Sequence, residues 1–230
     1  MKIIQAFALA CFTILAYLGF LLVGWGLGNM AEFFSNPARM GLAILIGVFA
    51  ILAFYQALAI PAGGVIQKGD ADKLHKKESV LGHLGTAIFL VGGLILMGYS
   101  DRHAWLVLPD SHFLRFGGLG VLAVGGILAF WSAMALGKQY STEITIQEDH
   151  RLITSGPFRV IRHPRYLGVI LMALGYALLF RSLAGLAITV FLIAGLVWRL
   201  SGEEKMMADE FGAEWQAYRE KTWRLVPFLY

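Results

Sequence analysis

Six stretches of this chain are apolar for most of a membrane's thickness, with short polar segments between them. Crossing a hydrocarbon core takes roughly 20 consecutive apolar residues in helical form. Residues 3–28, 40–66, 80–98 and 113–136 are four such runs. Residues 166–180 and 183–200 follow; the fifth run is short, and only Arg181-Ser182 separates it from the sixth. That spacing predicts a tight helical hairpin. The pattern as a whole predicts an all-α integral membrane protein with about six transmembrane helices. The first run follows Lys2 and invites comparison with a signal peptide. It exceeds the roughly 7–15-residue apolar core of a signal and no small-residue cleavage site follows, so a retained helix is expected.

Composition agrees with a lipid-solvated chain. Of 230 residues, 58% are hydrophobic and only 15% charged, against about 25% charged in soluble domains; the mean hydropathy is +0.67. The net charge of +4 and a pI near 9.2 do not indicate nucleic acid, because the charges lie in short loops, where basic residues set membrane orientation. With the N-terminus in the cytoplasm, fifteen Lys and Arg fall on the cytoplasmic side and four, Arg39, Arg102, Arg115 and Arg181, on the other. This places both termini, the 67–79 and 137–165 loops and the tail in the cytoplasm. Cys11, the single cysteine, sits inside the first run and permits no internal disulfide. His75, His83, His103 and His112 show no paired metal spacing, and no metal site is expected. Gly24 and Gly28, and Gly117, Gly118 and Gly120, lie in apolar helices rather than between a strand and a helix, so close helix packing is expected of them.

The 137–165 loop is the least membrane-like stretch, and loops of that length in a compact domain are commonly functional. Glu143-Ile144-Thr145-Ile146 alternates polar and apolar residues, Gln147-Glu148-Asp149-His150 reads as a turn, and Arg151-Leu152-Ile153-Thr154 is set to return as a second short strand. Ser155-Gly156-Pro157 is a further turn. Arg162-His163-Pro164-Arg165-Tyr166 then precedes the fifth span. Pro164 suits a first helical turn, which puts His163 and Tyr166 beside a helix N-terminus, where unpaired N–H groups favour an anion such as a ligand carboxylate. A second polar cluster closes the sixth span: Arg199, with Glu203 four residues on and on the same helix face, and Glu204. An ionisable group at this depth is a functional candidate; the alternative is an arginine reaching to the headgroups beside a neighbouring glutamate. Beyond it, Met207, Phe211, Trp215 and Tyr218 mark the apolar face of an amphipathic tail helix, suited to brace or cover a site.

Together these residues carry a resemblance. His150-Arg151-Leu152-Ile153-Thr154-Ser155-Gly156-Pro157-Phe158-Arg159, then Arg162-His163-Pro164-Arg165-Tyr166-Leu167-Gly168, Glu203-Glu204, and Phe211-Gly212 with Glu214-Trp215 and Tyr218 resemble the signature of isoprenylcysteine carboxyl methyltransferases and their prokaryotic relatives. The likeness runs from about residue 136 to the C-terminus. It divides the chain into N-terminal helices over 1–112 and a methyltransferase core over 113–230, with a cofactor loop at 137–165 and a tail at 201–230. The resemblance implies a cytoplasmic pocket for S-adenosyl-L-methionine, roofed by loop and tail, with a lateral opening for a lipophilic or small-molecule methyl acceptor. His150, Leu152, Gly156, Pro157, Arg162, His163, Tyr166, Leu167, Glu203 and Glu204 are the cofactor-binding candidates, and Arg199 with Glu203 the catalytic ones. The chemistry is compatible. A carboxylate pairs with the cofactor's ammonium, and a helix N-terminus and Arg162 suit its carboxylate. A carboxylate acceptor is already ionised at neutral pH and needs no base, whereas an amine or thiol acceptor needs one, for which His163 is the best placed. Two alternatives remain: a membrane NADPH-dependent sterol-type reductase and a non-catalytic lipid-binding protein.

Overall fold

The computed structural model describes residues 2–59, 80–137 and 152–229, with the helical backbone alone at 80–88. The first apolar run forms α1 (Lys2–Trp25), interrupted by a π-type turn at Leu15–Gly19. It stops at Gly26, whose φ of 99° no helix accepts. A short α2 (Met30–Ser35) follows. Asn36 then caps α3 (Pro37–Ala59): its Oδ1 accepts hydrogen bonds from the Ala38 and Arg39 amides at 3.0 and 3.3 Å. The remaining helices are α4 (Val80–His103), α5 (His112–Leu136), α6 (Pro164–Leu179) and α7 (Leu183–Glu220). Pro164 occupies the first turn of α6 as expected, and Ser182 Oγ caps α7 by accepting from the Gly185 amide at 3.0 Å.

Among the described residues four helices, α1, α3, α5 and α7, are long and apolar enough to cross a membrane. At 16 residues, α6 reaches about 24 Å, short of a hydrocarbon core. The expected hairpin is present: α6 and α7 are joined through Phe180, Arg181 and Ser182. No β-strand occurs among the described residues. Two isolated bridges instead pin the hairpin at both ends, Val107 to Ser182 at one and Ile161 to Trp223 at the other. The alternating segment 143–146 and the turn 147–150 lie outside the described residues. Leu152, Ile153 and Thr154, expected in a returning strand, are irregular, because the Ser155-Gly156-Pro157 turn runs straight into a 3₁₀ turn, Gly156–Arg159, that buries Pro157 and Phe158.

The principal core joins α1, α2, α3, α4, α5 and α6 through Leu21, Trp25, Phe33, Leu42, Ile46, Met97, Leu122, Tyr176 and Phe180. A smaller one, Tyr166, Leu200 and Leu225, lies beneath the candidate site. Glycines set the closest helix approaches. A Cβ at Gly168 would stand 2.7 Å from the Gly125 carbonyl, and one at Gly125 2.6 Å from that of Gly168. The packing role expected from sequence holds for Gly24, against the Ile95 backbone, and Gly118, against Gly175 and Leu179. Gly28, Gly117 and Gly120 face open space within 4 Å.

Away from the candidate site, three of the four arginines assigned to the opposite side have a structural role that the charge count did not convey. Three converge on Asp101: Arg39 Nη1 at 3.0 Å, Arg115 Nη1 at 2.9 Å and Arg181 Nη2 at 2.6 Å. The Asp101 side chain is fully buried. This neutralisation lets α4 continue past Gly98, where the apolar pattern stops, to His103.

Candidate functional site

The site is assembled by three chain segments that meet at the N-terminus of α6. Helix α7 runs unbroken from the sixth span into the tail, so the brace expected after Glu204 begins as a continuation of the span. It turns at Gly212, where φ is 47° and ψ is −116°, a conformation open to glycine. Beyond that turn Trp215 and Tyr218 are buried, and Tyr218 Oη donates to the Phe158 carbonyl at 2.7 Å. Burial pushes the Tyr218 hydroxyl up to about 12, so it remains a donor. The chain then doubles back. The Arg162 amide donates to the Trp223 carbonyl at 2.7 Å, the His163 amide to the Arg224 carbonyl at 3.1 Å, and the Trp223 amide to the Val160 carbonyl at 3.0 Å.

This folding places the two acidic side chains in different surroundings. Glu204 is encircled by basic side chains: Arg162 Nε lies 2.9 Å from Oε1, His163 Nε2 3.3 Å from Oε1, and Arg224 Nε 3.2 Å from Oε2. Burial opposes its ionisation, but hydrogen bonds with His163 and Arg162, and their charge, outweigh it and hold the carboxyl at about 2. Glu203 takes a hydrogen bond from the Tyr166 hydroxyl, and Arg199 Nε lies 3.3 Å from the same Oε1. That guanidinium also donates to Tyr166 Oη at 3.1 Å. The other Glu203 oxygen, Oε2, faces His163 Nδ1 at 3.7 Å, beyond hydrogen-bonding length. The buried His163 ring thus stands between the carboxylates, its centroid 5.8 Å from that of Tyr166. Glu203 and Glu204 side chains are 18% and 15% exposed, shielded from bulk water yet reachable.

Of the residues singled out by sequence, Arg162, His163, Tyr166, Arg199, Glu203 and Glu204 come together. Leu167 packs beneath them with the Tyr166–Leu200–Leu225 core. Gly156, at φ 60°, lies against Ala135 and Trp131 at the end of α5, Pro157 is buried beside it, and Leu152 is half-buried. His150 is outside the described residues. Sequence reasoning missed Arg224, which it counted only as an orientation charge. Its guanidinium reaches both Glu204 and Ser201 Oγ, the latter at 3.1 Å, through a chain reversal that no local signal announces. The N-terminus of α6 carries no side-chain cap, so the amides of its first turn remain suited to an anionic group.

Comparisons with known proteins find related sequences and a related fold. A family model described as phospholipid methyltransferase matches residues 113–214. Protein-S-isoprenylcysteine O-methyltransferase B of Arabidopsis thaliana is 25% identical over 207 residues, covering 87% of this chain and all of the relative. A probable protein-S-isoprenylcysteine O-methyltransferase of Oryza sativa subsp. indica is 29% identical over 125 residues, 53% of this chain; the match spans 65% of that relative's length. A steroid 5-alpha-reductase of Solanum lycopersicum is 32% identical over 143 residues, 61% of this chain and 52% of the relative. Among solved structures, the eukaryotic intramembrane Ras methyltransferase, isoprenylcysteine carboxyl methyltransferase, shares the fold, with a TM-score of 0.57 at 17% identity over 96% of this chain and 97% of that one. In sequence and in fold this chain is similar to the isoprenylcysteine carboxyl methyltransferases, which bears out the resemblance carried by its motifs.

Proposed function

We propose that this chain, similar in sequence and fold to isoprenylcysteine carboxyl methyltransferases, is a methyltransferase that uses S-adenosyl-L-methionine and methylates a lipophilic acceptor at the cytoplasmic face. The observation that carries the reading is the Glu203–Tyr166–Arg199 cluster beside the uncapped N-terminus of α6. Such a cofactor has an ammonium, a sulfonium and a carboxylate, and the donor set fits all three. Glu203 Oε2, which among the described residues has the 3.7 Å approach of His163, suits the cationic groups. The first turn of α6 suits the carboxylate. Arg162 is committed to Glu204 and to the Arg219 and Thr222 carbonyls, so its part is to position Glu204 and dock the tail. Bound there, the cofactor would supply an electrophilic methyl group whose carbon–sulfur bond breaks as the acceptor attacks, leaving a neutral thioether.

The protein's own residues hold and orient. The Tyr166 hydroxyl and Arg199 fix Glu203 Oε1, which turns Oε2 towards the ligand space. Glu204, clamped by Arg162, His163 and Arg224, locks the α6 N-terminus to α7 and the returning tail. Arg199 has the charge to orient an anionic acceptor. A carboxylate acceptor arrives ionised, so the site's main task is to hold donor and acceptor about 3 Å apart in the absence of water. An isoprenylcysteine-type carboxylate meets these terms and is the acceptor for which the similar proteins are named. The cytoplasmic placement rests on the fifteen-to-four partition of basic residues.

A nicotinamide-dependent reductase is the second reading, favoured by the likeness to the tomato steroid reductase. A radiolabelled methyl-transfer assay on purified protein with a synthetic farnesylcysteine derivative decides the first reading. Label in a base-labile ester, lost in Glu203→Ala, is the expected result. NADPH consumption with a steroid enone and no methyl transfer overturns it.

A further inference from the structure

We propose that the cavity between Arg162 and the returning tail binds the phosphate of an anionic phospholipid, whose acyl chains lie along the exposed apolar residues at the C-terminus. The cavity has a volume of about 390 Å³ and is lined by Arg162, Arg219, Glu220, Lys221, Thr222, Trp223 and Arg224. That is the size of a small-molecule pocket, roughly 300–1,000 Å³. Four cationic side chains face one carboxylate. Arg162 and Arg224 are shared with Glu204. Arg219 and Lys221 are exposed and take part in no ion pair among the described residues. Glu203, Tyr166 and Arg199 are absent from the lining, so the cavity adjoins the proposed transfer site through Arg162 and Arg224 without containing the residues that would meet the methyl donor.

Two further observations select a lipid. Trp223 is 40% exposed, Val226 37%, Phe228 86% and Leu229 83%, a run of apolar side chains directly beyond the basic lining. The Trp223 and Phe228 rings pair at 5.4 Å. The backbone bonds from Arg162 and His163 to Trp223 and Arg224 hold this run level with the first turn of α6, the point at which the fifth apolar segment begins. Cations and an indole ring at that depth match the headgroup layer, with Phe228 and Leu229 set to enter the acyl region. A free phosphate would use the cations and leave the apolar run without a role.

The test uses the full chain in a neutral detergent, titrated with short-chain phosphatidylglycerol and, separately, phosphatidylcholine. Saturable binding of phosphatidylglycerol with at least tenfold weaker binding of phosphatidylcholine is expected. The double variant Arg219→Gln/Lys221→Gln should bind phosphatidylglycerol about thirtyfold more weakly, roughly fivefold per cation. Its thermal midpoint and S-adenosylhomocysteine affinity should stay unchanged, which separates this proposal from the methyltransferase reading. Phe228→Ser/Leu229→Ser should also weaken the phospholipid. Equal affinity for the two lipids, or an undiminished affinity in the double variant, overturns the proposal. So does displacement by inorganic phosphate at equal concentration with no effect of the Phe228 and Leu229 substitutions, which would mark a site for free anions.

Discussion

Replacing Asp101 with asparagine should destabilise the protein severely without touching its ligand chemistry. The carboxylate is fully buried and takes contacts from three guanidiniums, Arg39 at 3.0 Å, Arg115 at 2.9 Å and Arg181 at 2.6 Å, whose side chains are only 8%, 4% and 11% exposed. Asparagine preserves the shape and removes the charge. Among the described residues the three cations then have Asp110, 61% exposed and 2.7 Å from Arg115 Nε, and the Glu32 charge near Arg39 to offset them. Removing one partner of a buried ion pair typically costs about 3–5 kcal/mol, mostly the penalty of the uncompensated charge left behind. At roughly 2–4 °C per kcal/mol for a chain of this size, the thermal midpoint should fall by about 6–20 °C. Differential scanning fluorimetry in detergent reads this directly. S-adenosylhomocysteine affinity, measured below the transition, should not change, because the length of α6, about 24 Å, separates the two ends. Adding Arg181→Gln to Asp101→Asn should restore part of the loss, since it removes one of the orphaned cations. A midpoint shift below about 2 °C for Asp101→Asn would refute the reasoning.

Other consequences are equally direct. Gly168→Ala places a Cβ 2.7 Å from the Gly125 carbonyl and should cost about 1–3 kcal/mol by overpacking, whereas Gly120→Ala, with nothing within 4 Å, should fall within about 0.5 kcal/mol of the parent; paired thermal melts compare them. The Glu204 carboxyl is held at about 2 in the folded chain, below the ordinary glutamate value of 4.5. Because the folded value is depressed, its contribution is whole above about pH 4.5 and is lost as pH falls towards 2. It should amount to on the order of 2 kcal/mol once solvent screening of a half-buried group is allowed for, and the acid step should vanish in Glu204→Gln when tail docking is followed by tryptophan fluorescence. Arg199→Lys should lower turnover at least about tenfold, since a compact ammonium does not reproduce the planar guanidinium's orientation of an anionic acceptor, while S-adenosylhomocysteine affinity stays within about threefold because the Tyr166 hydroxyl still holds Glu203.

The sequence conveyed the apolar helices, the hairpin and most of the candidate site because those features are local. Pro164 fixes a helix start, the four-residue spacing of Arg199 and Glu203 places both on one face, and the Met207-to-Tyr218 periodicity marks a brace. What it did not convey depends on distant partners. Asp101 looks like the end of a span until Arg39, Arg115 and Arg181 arrive from three other segments to neutralise it. Arg224 looks like an orientation charge until the turn at Gly212 returns it to Glu204. The distinct settings of Glu203 and Glu204 are likewise invisible in an adjacent pair, since they arise from Tyr166 and Arg199 on one side and Arg162, His163 and Arg224 on the other. The glycine pattern was half legible: small residues in a helix permit close packing, but only a neighbour's position selects Gly24 and Gly118 over Gly28 and Gly120.

The central claim is that the pocket at the start of α6 holds a cationic methyl donor through Glu203. Equilibrium binding of S-adenosylhomocysteine to the purified, folded chain, with Glu203→Gln and His163→Ala alongside, tests it most directly. Saturable binding that weakens at least about tenfold in both variants, the loss of one charge-assisted contact, is the predicted result. A folded protein that binds NADPH and shows no affinity for S-adenosylhomocysteine would contradict it.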